Sequence, residues 1–188
     1  MISLSEQLST LFDLKTDQMD QLVSLFREET MEKGEFHTKE GGYHTQLSFV
    51  KEGYMRIYSH HNGKEVTQWI SAPGDFTTEL GALLFNRPAR WNIVALEEVK
   101  LVSLNKDDYL KLSTTMPDWP LIERAFMSKC FMQLEDRVHS FLTLTAEERY
   151  QHLMTYRKDL FLKVPQQHLA SMLGMTPETL SRVRKKLQ

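Results

Sequence analysis

Near the C-terminal end, Glu178, Ser181, Arg182 and Lys185 recur at i, i+3, i+4 and i+7. That spacing sets all four on one face of an α-helix. These residue types can read base edges. Arginine donates two hydrogen bonds to guanine O6 and N7, a carboxylate accepts from cytosine N4, and serine serves an edge or a phosphate. Arg184, Lys185 and Lys186 add charge suited to backbone phosphates. With the two threonines at the start of the stretch, the candidate DNA contacts are Thr176, Glu178, Thr179, Ser181, Arg182, Lys185 and Lys186. The competing reading is an ordinary helical hairpin with a solvated charged face.

Such a face needs elements to hold it. Leu169 and Leu173 mark the inner side of a first helix, which Pro165 opens at a first-turn position. Ala170 is small where a second helix crosses closely. Gly174 permits the left-handed backbone of a tight turn, and Met175 plugs the corner. Thr176 then caps the second helix, with Pro177 in its first position and Glu178 favouring its dipole. Leu180, Val183 and Leu187 form its buried side. Small residue, turn glycine, cap and polar face fall in the register of a helix-turn-helix, whose second helix enters the major groove. His168, on the first helix, reads as a phosphate or surface contact. Upstream, Thr145 and Glu148 form a capping box for a helix with Tyr150, Leu153 and Met154 on its apolar side.

The charge balance agrees with this placement. Over 188 residues, 23 Lys and Arg stand against 25 Asp and Glu, for a net charge of −2. Residues 144–188 hold 8 basic and 4 acidic side chains, a net +4, while residues 1–143 hold 15 and 21, a net −6. A basic C-terminal unit on an acidic body points to a polyanion as partner. With 41% hydrophobic and 26% charged residues the chain has the composition of a folded domain rather than a disordered one. Its one cysteine, Cys130, excludes a disulfide framework or an all-cysteine metal cluster within one chain. Met1 to Glu6 has no basic start or apolar run, and no stretch nears the roughly 18 apolar residues of a membrane span. The expectation is a soluble cytoplasmic protein with no membrane partner.

Along the chain the periodicity changes twice. Leu4, Leu8, Leu11 and Phe12 recur at helical spacing, as do Met19, Leu22, Val23 and Phe26 after a Thr16-Asp17 cap. From Met31, glycines at 34, 41, 42, 53, 63, 74 and 81 separate runs of β-formers. The runs are Leu47–Val50, Tyr54–Tyr58, Glu65–Ile70, Ile93–Leu96 and Val99–Leu104, with turn signals at Glu52-Gly53 and Asn62-Gly63. Short strands at this spacing predict an antiparallel barrel or sandwich. Asn105 begins a short helix ending by Pro117, and a long helical pattern runs from Trp119 to Leu142. On it, Met127, Phe131, Leu134, Val138 and Phe141 follow the 4, 3, 4, 3 spacing of a coiled-coil seam. Ile122, Phe126 and Cys130 form a second apolar line. One line packs on the strands, and the other needs a partner, most economically the same helix of a second subunit. The alternative is one helix buried inside a single domain.

Strand-rich body, long helix and helix-turn-helix together resemble the Crp/Fnr family of bacterial transcription regulators. The most specific part is Pro177-Glu178-Thr179-Leu180-Ser181-Arg182, which resembles the family's recognition helix. Pro73-Gly74-Asp75-Phe76 with Glu79-Leu80-Gly81 resembles its effector-pocket segment. Lys33-Gly34-Glu35, Glu40-Gly41 and Glu52-Gly53-Tyr54-Met55-Arg56 stand where its β-roll glycines fall. The resemblance covers nearly the whole chain. It implies an α+β fold: an N-terminal antiparallel β-roll (a double-stranded β-helix of the cyclic-nucleotide-binding type) over 1–118, a dimerisation helix over 119–143, and an all-α helix-turn-helix domain over 144–188. It further implies a homodimer on an inverted-repeat operator in double-stranded DNA, RNA polymerase as a further partner, and a small-molecule effector. A signal in the roll alters the long helix and so the spacing of the two recognition helices. The Glu-x-x-Ser-Arg arrangement is closer to the Fnr-like branch, because the Crp-like branch has Gly where Ser181 stands. Pro177 occupies a position where that branch has another base-reading Arg, so that contact is absent.

For the effector, the resemblance assigns Glu79, Leu80 and Arg90. A cyclic nucleotide needs close-approaching backbone amides, hence glycine, a Glu for the ribose hydroxyl, and an Arg beside Ser or Thr for the phosphate. Glu79 and Leu80 match, but Thr78 replaces the glycine and Trp91 follows Arg90. These departures argue against a cyclic nucleotide, and no cofactor is assigned. An iron–sulfur sensor of the Fnr type needs several cysteines, and Cys130 alone reads as a small buried hydrophobe. His60-His61 and the His37/His44 pair lack a third ligand, so no metal site is expected. Many members of the family continue into a β-hairpin wing, whereas this sequence stops at Gln188; a shorter branch and a truncated chain are equally compatible with that, and without a wing DNA affinity is expected to rest more on the dimer and salt-sensitive phosphate pairs. Two rivals differ in class. A signalling module with a protein-binding C-terminal unit predicts no salt-dependent DNA binding. An enzyme on a cupin-like barrel needs a His-x-His and carboxylate cluster, which the strand region lacks.

Overall fold

Two helices, α1 (Leu4–Leu11) and α2 (Thr16–Ser24), lead into the strands and bury Leu8 and Leu22 against them. The structure, a computed structural model, describes residues 4–11 and 14–187. Phe12, assigned above to the first helix, lies outside the described residues. The N-cap of α2 is Lys15 rather than Thr16, and the Gln18 side chain accepts from the Lys15 amide at 3.0 Å. Phe26 falls past the end of α2 but is buried in the same core.

Eight strands follow: β1 (Arg27–Met31), β2 (Phe36–Thr38), β3 (Gln46–Glu52), β4 (Met55–His61), β5 (Lys64–Ser71), β6 (Phe76–Thr77), β7 (Asn92–Ala95) and β8 (Val99–Asn105). A short helix, α3 (Leu80–Phe85), interrupts them. They form two antiparallel sheets, ordered β1-β8-β3-β6 and β2-β7-β4-β5. The five predicted runs are β3, β4, β5, β7 and β8. Strands β1, β2 and β6 and helix α3 escaped prediction. β1 is an edge strand on which only Met31 is buried, so its Arg and Glu residues hide the alternation. Between β4 and β5, Asn62 and Gly63 both take positive φ, 50° and 71°. This is the two-residue turn whose twist matches the flanking strands.

Successive residues of β3 point to opposite sides. Val50 joins Met31, Met55, Ile93, Val99 and Leu101 inside the roll. Leu47 and Phe49 face a second core built with α1, α2 and two later helices, α4 (Lys106–Thr115) and α5 (Trp119–Thr143). Asn105 caps α4, accepting from the Asp108 amide at 2.9 Å. Of the two apolar lines on α5, Ile122, Phe126 and Cys130 pack on this core.

The remaining helices are α6 (Ala146–Tyr156), α7 (Lys158–Lys163), α8 (Gln166–Met172) and α9 (Pro177–Leu187). Thr145 and Glu148 form the expected capping box of α6. Pro165 is the N-cap of α8 rather than its first residue. Tyr150, Leu153, Leu160, Leu169, Ala170 and Leu180 bury a third core, and Tyr54, Ile70 and Ala72 of the roll join it. The C-terminal helices therefore dock on the strands. α8 lies against β5, where the Thr67 amide donates to Ser171 Oγ at 2.9 Å. Arg157 pairs with Asp75 at 3.1 Å, and the Tyr54 hydroxyl donates to Asp159 at 3.2 Å.

Candidate functional site

The turn between α8 and α9 closes as a Schellman motif. The Gly174 amide donates to Ser171 O and the Met175 amide to Ala170 O, each at 3.0 Å. Gly174 takes φ +67°, and a Cβ there would lie 2.4 Å from Phe141 Cε1. Glycine is thus required by backbone conformation and by the close approach of α5. The Thr176 hydroxyl accepts from the Thr179 amide at 3.2 Å, so α9 begins at a satisfied cap.

Leu180 is buried and Val183 half-buried, which turns the opposite side of α9 outward. Leu187, expected on the buried side, is 38% exposed and borders a cavity with Tyr150, Met154 and Phe161. Thr176, Glu178, Arg182, Lys185 and Lys186 are exposed, and Thr179 and Ser181 are half-buried. Arg182 donates to Thr179 Oγ1 at 3.2 Å and forms no ion pair among the described residues. Its guanidinium is exposed to an outside acceptor, and its charge also acts on Glu178 one turn back. Hydrogen bonds from its own amide and from Thr176 hold the Glu178 carboxyl below the usual carboxylate range. It is an acceptor only, which suits a cytosine amino group. Lys186 pairs with Glu147 at 2.6 Å. His168 does not point outward as expected. It is half-buried toward Arg56 and Glu65 of the roll, and burial, then the Arg56 charge, lowers its pKa.

On α5 the structure divides the predicted seam. Phe131, Leu134 and Val138 are 66%, 49% and 51% exposed. Met127 instead packs on the second core, between the strands and helices α1, α2 and α4. Phe141 touches the Gly174 turn, its ring flanked by the Arg137 and Arg149 guanidinium groups at 4.9 and 5.0 Å. Phe141 remains 39% exposed, so of the five residues only Met127 is drawn into the chain's own core.

In the predicted effector segment, Glu79 is buried and turned into its own helix. Its carboxylate accepts from the Ala82 amide at 2.6 Å, as the N-cap of α3, and from the Arg90 amide at 3.5 Å. Leu80 and Arg90 are exposed. Glu79 and Arg90 are brought together, but through the Arg90 backbone rather than as two side chains facing a ligand. Sequence reasoning missed a polar chain inside the roll. His37 Nε2 lies 2.8 Å from Ser48 Oγ, which lies 2.7 Å from Ser103 Oγ, and His37 Nδ1 lies 2.9 Å from Thr38 Oγ1. Burial, and then the charge of His44, lowers His37 to about 4, so it is neutral at pH 7. Among the described residues no group of three or more His, Cys, Asp or Glu could hold a metal ion. No helix among them is long and apolar enough to cross a membrane.

Comparisons with known proteins fall on both halves of this architecture. Residues 28–115 match the family model of the cyclic nucleotide-binding domain. Residues 136–188 match that of the Crp-like helix-turn-helix domain. Over 175 residues the chain is 26% identical to the cyclic AMP receptor protein of Thermus thermophilus, covering 90% of this chain and 81% of that one. Among solved structures, FixK2 from Bradyrhizobium japonicum superposes with a TM-score of 0.70 at 20% identity, covering 86% of this chain and 84% of that one. The c-di-GMP responsive global regulator CLP from Xanthomonas campestris gives 0.67 at 19% identity, covering 93% and 92%. The two structures establish the shared fold.

Proposed function

We propose that this chain, which belongs to the Crp/Fnr family of transcription regulators, binds an inverted-repeat DNA operator as a homodimer and reads it with α9. The observation that carries this reading is the outer face of α9. There, an ionised Glu178 and an Arg182 without a carboxylate partner stand beside Lys185, on a helix capped and held by a glycine turn. The pair has the donor and acceptor pattern of a G·C edge. Dimerisation rests on Phe131, Leu134 and Val138, an exposed apolar stripe on a 25-residue helix.

The roll is the sensing domain of this reading, but its residues do not fit a cyclic nucleotide. Glu79 is spent on the α3 cap, Thr78 stands where glycine would admit the phosphate, and Trp91 replaces the small hydroxyl beside Arg90. The test is selection of binding sites from random duplex DNA at two salt concentrations. A two-fold symmetric site with half-sites about one helical turn apart is the expected product. Arg182→Ala should then lose about 1–3 kcal/mol on that site and relax base preference at one position. An equal loss on every sequence removes Arg182 from base reading.

A further inference from the structure

The carboxylate of Glu178 and the guanidinium of Arg182 stand four residues apart on α9, with the acid on the N-terminal side. On a helix that spacing and that order favour an ion pair between neighbouring turns. Such a pair would disable both readers together, since each would spend on the other the hydrogen bonds it needs for a base. No such pair is present. Among the described residues neither Glu178 nor Arg182 forms an ion pair.

A hydroxyl stands where it can keep them apart. Thr179 Oγ1 accepts from Arg182 Nη2 at 3.2 Å and from the Thr176 hydroxyl at 3.3 Å. Thr176 Oγ1 in turn accepts from the Thr179 amide at 3.2 Å, so Thr179 is fixed through both its side chain and its backbone. Thr179 is half-buried, whereas Arg182 is exposed. A β-branched side chain on a helix has few rotamers, while an arginine has many, so the threonine is the anchor and the arginine the group it holds. The bond occupies one of the five guanidinium N–H donors and leaves four, enough for the two-bond fork to guanine. Among the influences that lower the Glu178 pKa, the Arg182 charge is the weakest, behind the hydrogen bonds from its own amide and from Thr176. That ranking fits a guanidinium held near the carboxylate but not against it.

We infer that Thr179 is the positioning residue of the reading face: its hydroxyl holds the Arg182 guanidinium out of an ion pair with Glu178, so that donor and acceptor both stay available to DNA. This role replaces the direct DNA contact that spacing suggested for Thr179. It rests on the reading of α9 as the recognition helix, but the geometry exists in the free protein and is tested there.

The test is a pH titration of the Glu178 carboxyl by NMR, on the full chain without DNA. Thr179→Val keeps the branched shape and deletes the anchor, so Arg182 should close on Glu178. The Glu178 midpoint should then fall by about 0.2–0.4 pH unit, the strength of an i,i+4 ion pair. The fall should vanish in an Arg182→Gln background, and Thr179→Ser, which keeps the hydroxyl, should restore the parent midpoint. An unmoved midpoint in Thr179→Val overturns the assignment. So does a fall that survives Arg182→Gln, because it would come from the released Thr176 hydroxyl. Site selection from random duplex DNA reads the consequence. Thr179→Val should relax preference at the base pair that Glu178 and Arg182 read, whereas an equal loss on every sequence marks a plain phosphate contact and also overturns the assignment. A parent protein that selects no symmetric site removes the DNA reading instead, and the titration still decides the anchor.

Discussion

Gly174 is where the long helix and the helix-turn-helix meet, and its replacement by alanine has two separable effects. The first is conformational, because at φ +67° an alanine sits in the left-handed region. That costs about 1–2 kcal/mol. The second is steric. The new Cβ would lie 2.4, 3.3 and 3.4 Å from Cε1, Cζ and Cδ1 of Phe141, against the 3.5–4.0 Å of ordinary carbon contact. The ring has to retreat by about 1 Å between two flanking guanidinium groups, an overpacking effect of about 1–3 kcal/mol. Gly174→Ala should therefore destabilise the protein by about 2–5 kcal/mol. In a Phe141→Ala background only the conformational part, about 1–2 kcal/mol, should remain. Urea unfolding of the four proteins in this double-mutant cycle, followed by circular dichroism, gives both numbers. If the Gly174→Ala losses in the two backgrounds agree within about 0.5 kcal/mol, the Phe141 contact plays no part and the steric argument is wrong.

The pH dependence of stability should carry a signature of His37. Its folded pKa of about 4 lies below the ordinary 6.5, so between those values the unfolded chain takes a proton that the folded chain refuses. Stability falls as pH drops through that window, by about 3 kcal/mol in total. His37→Gln, which does not titrate, should remove this part, and parallel curves for the two proteins would contradict the assignment. Leu134→Asp, on the exposed stripe of α5, should convert dimer to monomer in sedimentation equilibrium while changing monomer stability by no more than about 0.5 kcal/mol. An unchanged mass would move the dimer contact elsewhere. Thr176→Ala removes the cap of α9 and should cost about 1 kcal/mol in thermal unfolding, where Thr176→Asp should not.

The sequence was most legible where one signal had one physical cause. Thr176, Pro177, Gly174 and Leu180 each do locally what their chemistry predicts, because caps and turns are set by neighbouring residues. Strands β3, β4, β5, β7 and β8 announced themselves through β-formers between turn residues. Strand β1 did not, since an edge strand of Arg and Glu buries only Met31. The docking of α8 on β5 was illegible for a different reason. Nothing in Ser171 or His168 marks them as facing a strand 104 positions away from Ser171, because that contact is set by tertiary packing. The same holds for His37, whose partners Ser48 and Ser103 lie on separate strands. Glu79 stands out in the sequence only by resemblance to a motif, and its local use as a helix cap competes with the role the motif implies.

The hydrogen bond from the Thr67 amide to Ser171 has a bearing on self-association. β5 is the outer strand of its sheet, so its outward amides are open to pairing with any extended chain. At Thr67, beside a register shift opposite Ile57 and Tyr58, that opening is closed by a hydroxyl from α8. Any movement that lifts the C-terminal helices from the roll uncovers this amide. Its hydrogen-exchange rate is thus a built-in gauge of domain separation. The same movement exposes a β-edge, so conditions that free the helix-turn-helix also raise the tendency of the roll to add strands from other molecules.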